Sequence, residues 1–487
     1  MADVKDLRIS IIGAGMGGLA CALAFAKKGF RRIDVYEAAS DLGFVGAGIQ
    51  LAPNLARVLD RWGCWAAVRA EATAVTSSSI RDGATGRELS LVPMPDIADL
   101  YGYPHCVGHR ASLAGALYAG CRAEAAAVTF HFSTALERVD SFGTTAADDG
   151  GGSGKVRFTA KPRDGAPYAV ETDLLLAADG IKSPTRGALL AAVGSGAAVE
   201  DTGQAAYRIM LGREQMAGDA EMLALLDSDC ALRWIGERRH IVAYPIAGKS
   251  VYNLSTCQPD THFAAAPGAT YTTRGDKAAM LGVYGDFCPL VRRMLDLVPE
   301  GEVCEWRLRS HAPLERWTLG AAALLGDACH PTLPHLGQGA TMAIEDAAVL
   351  AECVAALPSV ATATADGAVA GTPAALARAL RVYEALRRDR TYALVEMAAF
   401  SGRTLHLGEG AAREERDRQF AEGRKKGNAV PDKWASPDVQ KMIYSHDCVA
   451  EAREKFADLF AGLAAPAPVP VPAAVGEKTT NGVTAAL

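Results

Sequence analysis

No two cysteines stand at C-x-x-C spacing, and the 11 cysteines of this 487-residue chain are an odd number scattered singly. That fits reduced, mostly buried thiols better than a disulfide framework. Also missing is any run of about twenty apolar residues, the length a membrane-spanning helix needs. The alanine-rich stretches are broken by Pro, Gly or charge. Residues 1–7 are polar and lead straight into an apolar strand, so no secretory leader is expected. Positive charge is not in excess: 50 Lys and Arg against 56 Asp and Glu give a net charge of −6. This argues against nucleic acid or an anionic membrane as the main partner. No internal repeat is evident. What remains is an ordinary globular composition, 49% hydrophobic and 22% charged, on a chain long enough for two or three domains. A soluble, intracellular, cytoplasmic protein is expected.

Against that background the stretch "RISIIGAGMGGLACALAFAKKGFRRIDVYE" carries chemistry. Ile9, Ile11 and Ile12 predict a buried parallel strand. Gly13, Gly15 and Gly18 supply G-x-G-x-x-G: a sharp turn, a bare backbone for a phosphate, and close packing of helix on strand. A helix over residues 19–28 then ends at Gly29. Its N-terminus offers free N–H groups and partial positive charge to a pyrophosphate. Glu37 closes the next strand nineteen residues beyond Gly18, where a carboxylate can take both hydroxyls of an adenosine ribose. The pattern predicts a dinucleotide site without saying which dinucleotide.

The fold class predicted is α/β, with a discontinuous nucleotide-binding domain (1–75, 100–200 and 310–357) and an inserted, mostly antiparallel sheet (76–99 and 201–309). "VTFHFSTALERVD" and the stretch from Lys155 to Thr172 alternate like antiparallel strands, with a flexible hairpin tip between them at "AADDGGGSG". A helix is predicted over 339–357, a loop over 358–374, and a C-terminal helical region over 375–460. The Pro/Ala-rich end, 464–487, is expected to be disordered.

Two further stretches narrow the reading. "LLLAADGIKSPTR" is an apolar strand ending at Asp179–Gly180, followed by Ser183 and Arg186. "LLGDACHPTLPHLGQGATMAIEDA" is a strand ending at Gly326–Asp327, a proline-bearing loop, and a helix opening at Gly337–Gly339. Asp327 is placed to hydrogen-bond a ribityl hydroxyl, and the helix N-terminus to stabilise negative charge on a reduced flavin. With the glycine fingerprint and Glu37, these stretches resemble the class A flavoprotein aromatic hydroxylases, salicylate hydroxylase-like branch, over residues 8 to about 400.

The resemblance implies FAD in a split Rossmann-like domain, a sheet-lined substrate cavity over the flavin, and NAD(P)H as a transient reductant without a Rossmann domain of its own. A single glycine fingerprint agrees with that. It implies Glu37 on the AMP ribose, Arg110 on the phosphate and ribityl region, and Asp327, Gly339 and Ala340 along the flavin, with Gly48 also at the cofactor. Asp179 would serve both FAD and the reductant. The implied reaction reduces the flavin with NAD(P)H and then adds O2 to give a C4a-hydroperoxyflavin, whose distal oxygen attacks an electron-rich ring carbon.

Such chemistry needs a dry cavity, a group that stabilises a phenolate, and a cation for a substrate carboxylate. Arg208, in the apolar strand "AAYRIML", suits that anion or an internal ion pair. His240 and Tyr244 fall four apart in "RRHIVAYPIAG", hence on one strand face, and are candidates to touch the substrate's ring oxygen. Gln50 lies where some relatives carry a histidine base, and its amide can hydrogen-bond but cannot take the proton. His330 and His335 in "HPTLPH" have no Cys or carboxylate partner that completes a metal set, so no metal is expected. "AGKS" fails as a P-loop because the required upstream glycine falls at Ala243. Decarboxylative hydroxylation of a salicylate-type substrate is the first expectation. Dearomatising hydroxylation of a larger polyketide-type phenol, alkene epoxidation and a non-catalytic flavin-binding role follow in that order. Neither the choice of NADH or NADPH nor an oligomeric state is legible.

Overall fold

Burial on both faces makes Arg8–Ile12 the centre of a parallel sheet. Ile9 and Ile11 are wholly buried, and the strand pairs in parallel with Arg32–Tyr36 on one side and Leu174–Ala177 on the other. In the computed structural model, which describes residues 3–43, 47–143, 154–262, 272–357, 373–426, 431–434 and 436–463, this sheet has six strands. Their order is Thr318–Leu319, Ala322–Leu324, Leu174–Ala177, Arg8–Ile12, Arg32–Tyr36 and Val128–His131. The chain leaves and re-enters the sheet repeatedly, giving the split Rossmann-like arrangement. The turn after the first strand depends on its glycines. Gly13 has φ +93°, and a Cβ on Gly18 would lie 1.9 Å from the Gly13 carbonyl oxygen, so helix Met16–Lys27 meets the strand only without one.

The antiparallel expectation for "VTFHFSTALERVD" needs correction. Ser133, at φ +53°, bends the chain there. Val128–His131 joins the parallel sheet, whereas Thr134–Phe142 pairs antiparallel with Val156–Pro162 in a separate sheet. The predicted hairpin tip except its last residue, Gly154, the 358–374 loop except its last two residues, and the 464–487 tail lie outside the described residues.

The inserted sheet has eight strands, in the order Thr272–Arg274, Cys304–Ser310, Glu200–Gly212, Val251–Pro259, Arg239–Ile246, Cys230–Gly236, Ser77–Asp82 and Glu88–Pro93. Strand alternation divides it into two faces. Tyr207, Ile209, Leu211, Trp234, Ile241, Tyr252 and Leu254 form one apolar core with helices Lys277–Val283 and Pro289–Asp296. The intervening residues, among them Arg208, Arg233, His240, Tyr244, Asn253 and Cys257, face the other way. Among the described residues no helix is long and apolar enough to cross a membrane.

A buried ion group ties the long helix Pro373–Leu405 to helix Gly339–Ala355. Arg387 donates to Asp346 Oδ1 at 2.9 Å and to Glu345 Oε2 at 2.8 Å, all three at most 1% exposed. His330 Nε2 donates to Asp346 Oδ2 at 2.5 Å, and the Gly326 N–H donates to the same oxygen at 3.1 Å. Asn54 donates to Glu345 Oε1 (2.8 Å) and to Gln338 Oε1 (3.2 Å). The turn bearing Asp327 and the start of the 339–355 helix are therefore held by one pair of carboxylates.

Burial alone would raise both carboxyls, but the Arg390 and Arg387 guanidiniums hold Glu345, and His330 and Arg387 hold Asp346, below the usual carboxylate range. Their stabilisation is present above about pH 4 and is lost as pH falls through the depressed folded values. Arg387→Met, which strands both charges, is expected to cost about 3–5 kcal/mol near neutral pH by urea unfolding. The gap to wild type should narrow as pH is lowered below about 4.

Candidate active site

At the mouth of the parallel sheet, Glu37 reaches back across the glycine turn. Its Oε2 accepts from the Ala14 N–H at 2.7 Å and its Oε1 from the Ala39 N–H at 2.8 Å. Space in front of Gly15 is open, with no atom within 4 Å of where its Cβ would stand. Free N–H groups of the first helical turn thus face a cradle that a phosphate can enter.

Further along this crevice lie charges without partners. Arg110 begins helix Arg110–Ala123, and Asp327 sits in the Gly326–Ala328 turn. Both residues are exposed at the crevice, although protein atoms crowd around each side chain. They feel each other electrostatically, but among the described residues neither side chain forms an ion pair or hydrogen bond. Burial pushes Asp327 up, opposed by His330 and Arg110; burial likewise lowers Arg110, opposed by Asp327. Asp179 accepts from the Thr185 N–H and hydroxyl through Oδ2, while its buried Oδ1 has no partner. Arg186 is internal. It donates to the Ile181 and Ala328 carbonyls and so joins the Asp179 turn to the Asp327 turn. Gly339 and Ala340 open the helix whose N-cap is Gln338. An elongated cofactor with phosphates and a polyol chain fits this set, because it would supply what Arg110, Asp327 and Asp179 lack.

The open face of the eight-stranded sheet forms a second wall. Register aligns Arg233, Val242, Ser255, Arg208 and Cys304 across five strands in one row, with Tyr244 and Asn253 two residues along. The Arg208 guanidinium stacks 4.7 Å over the Trp306 ring. Its buried Nε has no partner, and no carboxylate pairs with it among the described residues. Burial and the nearby Arg110 charge lower Arg208, while Tyr244 and Cys304 oppose that shift. Tyr244 is pushed well above the usual phenol range by burial, with Arg208 pulling the other way. It is a hydrogen-bond donor at any working pH and not a base. Gly48 lies against this pair rather than in the open crevice. Its N–H donates to Asn253 Oδ1 at 2.7 Å, and a Cβ there would lie 2.6 Å from both Asn253 and Tyr244.

Arg208, Tyr244 and Gln50 therefore line the junction between the sheets, together with Gly337, whose backbone packs on the Gln50 amide. His240 shares the strand face but stands about 13 Å from Tyr244 at ~3.3 Å per residue, and its ring meets His406 and His335 instead. The structure does not bring it to the other two. One group was not legible. Trp434 donates through Nε1 to Gln50 Oε1 at 2.6 Å, across 384 residues of chain. Asp432 fixes it there through a buried 2.6 Å ion pair with Arg233, which stacks 4.8 Å over the Trp434 ring. The C-terminal region is thus not continuously helical: the non-helical segment 431–434 docks on the site. No periodicity announces where such a loop lands.

Comparison with known proteins agrees with this geometry. Residues 11–63 match the NAD(P)-binding Rossmann-like domain family. Over 457 residues the chain is 30% identical to the FAD-dependent monooxygenase OpS4 of Beauveria bassiana (strain ARSEF 2860), covering 93% of this chain and 98% of that one. It is 33% identical over 345 residues to 3-hydroxybenzoate 6-hydroxylase 1 of Aquipseudomonas alcaligenes, covering 70% and 79%. A solved salicylate hydroxylase substrate complex superposes with TM-score 0.69 at 21% identity, covering 96% of this chain and all of that one, a likeness of fold. The charges left open along the crevice suit a flavin dinucleotide, and the chain belongs to the class A FAD-dependent aromatic hydroxylases, enzymes that bind FAD and draw on NAD(P)H.

Proposed function

We propose that this enzyme hydroxylates a phenolic aromatic acid that binds as an anion, a salicylate-type substrate undergoing decarboxylative hydroxylation being the first choice. The observation that carries this reading is Arg208: a guanidinium in an apolar strand, stacked on Trp306, with no carboxylate beside it among the described residues. An unpaired cation in such surroundings is costly, and an incoming carboxylate or phenolate supplies its partner through the planar fork. The related 3-hydroxybenzoate 6-hydroxylase, named for a phenolic acid, supports the same class.

Bound FAD supplies the acceptor for hydride from NAD(P)H and the ring that activates O2. Gly13, Gly15 and Gly18 admit the pyrophosphate, Glu37 holds the ribose, and Arg110 and Asp327 hold the phosphate and ribityl region. Asp179 offers its free oxygen, and Gly339 and Ala340 present helix N–H groups to the flavin ring. Over the ring, Arg208 grips the substrate anion and Tyr244 donates to the phenolic oxygen. Asn253 and Gly48 fix Tyr244, while Gln50 and Trp434 close the wall and exclude water. Since Tyr244 stays protonated, the substrate's own phenol ionisation sets how electron-rich the ring becomes.

NADH and NADPH consumption in air should rise on adding salicylate, with a product that has lost CO2 and gained a hydroxyl. Stimulation without a hydroxylated product would make salicylate an effector, and no stimulation would move the search to larger phenols. Arg208→Ala should lower kcat/KM for the acid by about 30-fold or more, the loss of a buried charge pair at 2–5 kcal/mol. Unchanged affinity and yield would overturn its role. Tyr244→Phe should lower kcat and move its pH profile upward, because the lost donor no longer stabilises the substrate phenolate. Asp327→Ala should weaken FAD by about 10- to 100-fold in flavin fluorescence titration, the loss of a hydrogen bond to a charged group.

A further inference from the structure

We propose that His240, Cys257 and His406 form a zinc site that fastens the end of the long C-terminal helix to the substrate sheet. The expectation of no metal rested on the lack of ligands around "HPTLPH", and the fold supplies them from elsewhere. His240 and Cys257 are direct cross-strand partners in the eight-stranded sheet. His406 follows helix Pro373–Leu405 and is held beside the sheet by the Arg238 N–H, which donates to its carbonyl at 3.0 Å. One ligand atom from each of the three lies within 4.8 Å of the others. His335 adds a third imidazole, its ring 5.2 Å from that of His240 and 5.6 Å from that of His406.

These groups make few bonds of their own. His240 Nδ1 and His406 Nε2 share one hydrogen bond of 2.6 Å, and Cys257 Sγ donates to Gln204 Oε1 at 3.2 Å. Both ring nitrogens of His335 are buried without any partner. Burial lowers His335 to about 3 and His406 to about 4, and it holds His240 well below the usual range, so all three rings are neutral Lewis bases. Ring packing accounts for the contacts of the three imidazoles but leaves the two nitrogens of His335 unsatisfied, which an apolar core gains nothing from.

A borderline-soft, four-coordinate ion matches two nitrogens and a sulfur from three separate segments. On binding, Zn2+ takes the place of the proton shared by His240 and His406, and each ring carries its own proton on the nitrogen that does not bind. The Cys257 thiol loses its proton to solvent and binds as thiolate. The fourth position is left to water or to His335, two residues before the Gly337 that packs on Gln50. The site stands apart from the proposed contacts of Arg208 and Tyr244, so its test does not depend on substrate.

The FAD-loaded full-length enzyme, freed of metal by chelator, should be titrated with Co2+ alone. One equivalent is expected to bind, with a thiolate-to-cobalt charge-transfer band and d–d bands to the red of the flavin. Zn2+ should displace it and raise Tm in a concentration-dependent manner. Cys257→Ser should lose the charge-transfer band, and His406→Gln should lower affinity by at least about 100-fold. Retained FAD content in both variants reports that they fold. No saturable binding by the wild-type enzyme, a spectrum lacking the thiolate band, or equal binding by both variants would overturn the site.

Discussion

Two carboxylates buried side by side, Glu345 and Asp346, hold together the parts on which everything else rests. Asp346 fixes the Gly326 N–H and His330, and with them the turn that carries Asp327. Glu345 reaches Asn54 and, through it, Gln338 at the start of helix Gly339–Ala355. Arg387, itself buried, balances both and brings the long helix against them. Low-dielectric burial makes such a group costly to form and costlier still to break at one member. Its arrangement therefore fixes the crevice more firmly than a purely apolar contact would.

Around this fixed frame the charged groups differ in whether protein satisfies them. Arg110, Asp327 and Arg208 form no ion pair among the described residues and Asp179 Oδ1 has no hydrogen-bond partner, whereas Arg186, Arg233 and Arg387 bond to protein groups. The distinction separates cations that build the site from those that use it. The open groups also fall on two walls: the crevice at the parallel sheet presents backbone N–H groups, Arg110 and Asp327, and the antiparallel sheet presents Arg208 and Tyr244. Gly48, on a short strand paired with Cys106–His109, packs on the antiparallel sheet, where the absence of a Cβ lets its backbone approach Asn253 and Tyr244.

Much of the fold was legible because its signals are local. The Gly13–Gly18 turn, Glu37, and the Asp179 and Asp327 strand ends each follow from a strand run and the residues just after it. The open face of the eight-stranded sheet was partly legible, since strand alternation puts Tyr244 and Arg208 on predictable sides. Strand direction was not, because Val128–His131 looks the same to the eye whether its partner runs parallel or antiparallel. The contacts of Trp434 with Gln50 and of His406 with His240 join residues separated by 384 and 166 positions. No periodicity encodes such pairings, and only the closed fold brings them together.

The central claim is that Arg208 recognises substrate charge. Its most direct test is the perturbation of the FAD spectrum by salicylate and by salicylamide, its neutral amide, in wild-type enzyme and in Arg208→Gln. Salicylate should bind the wild-type enzyme at least about tenfold more tightly, as a desolvated charge pair predicts, and the preference should vanish in the variant. Equal binding of the two by wild type, or a preference that survives Arg208→Gln, would contradict it.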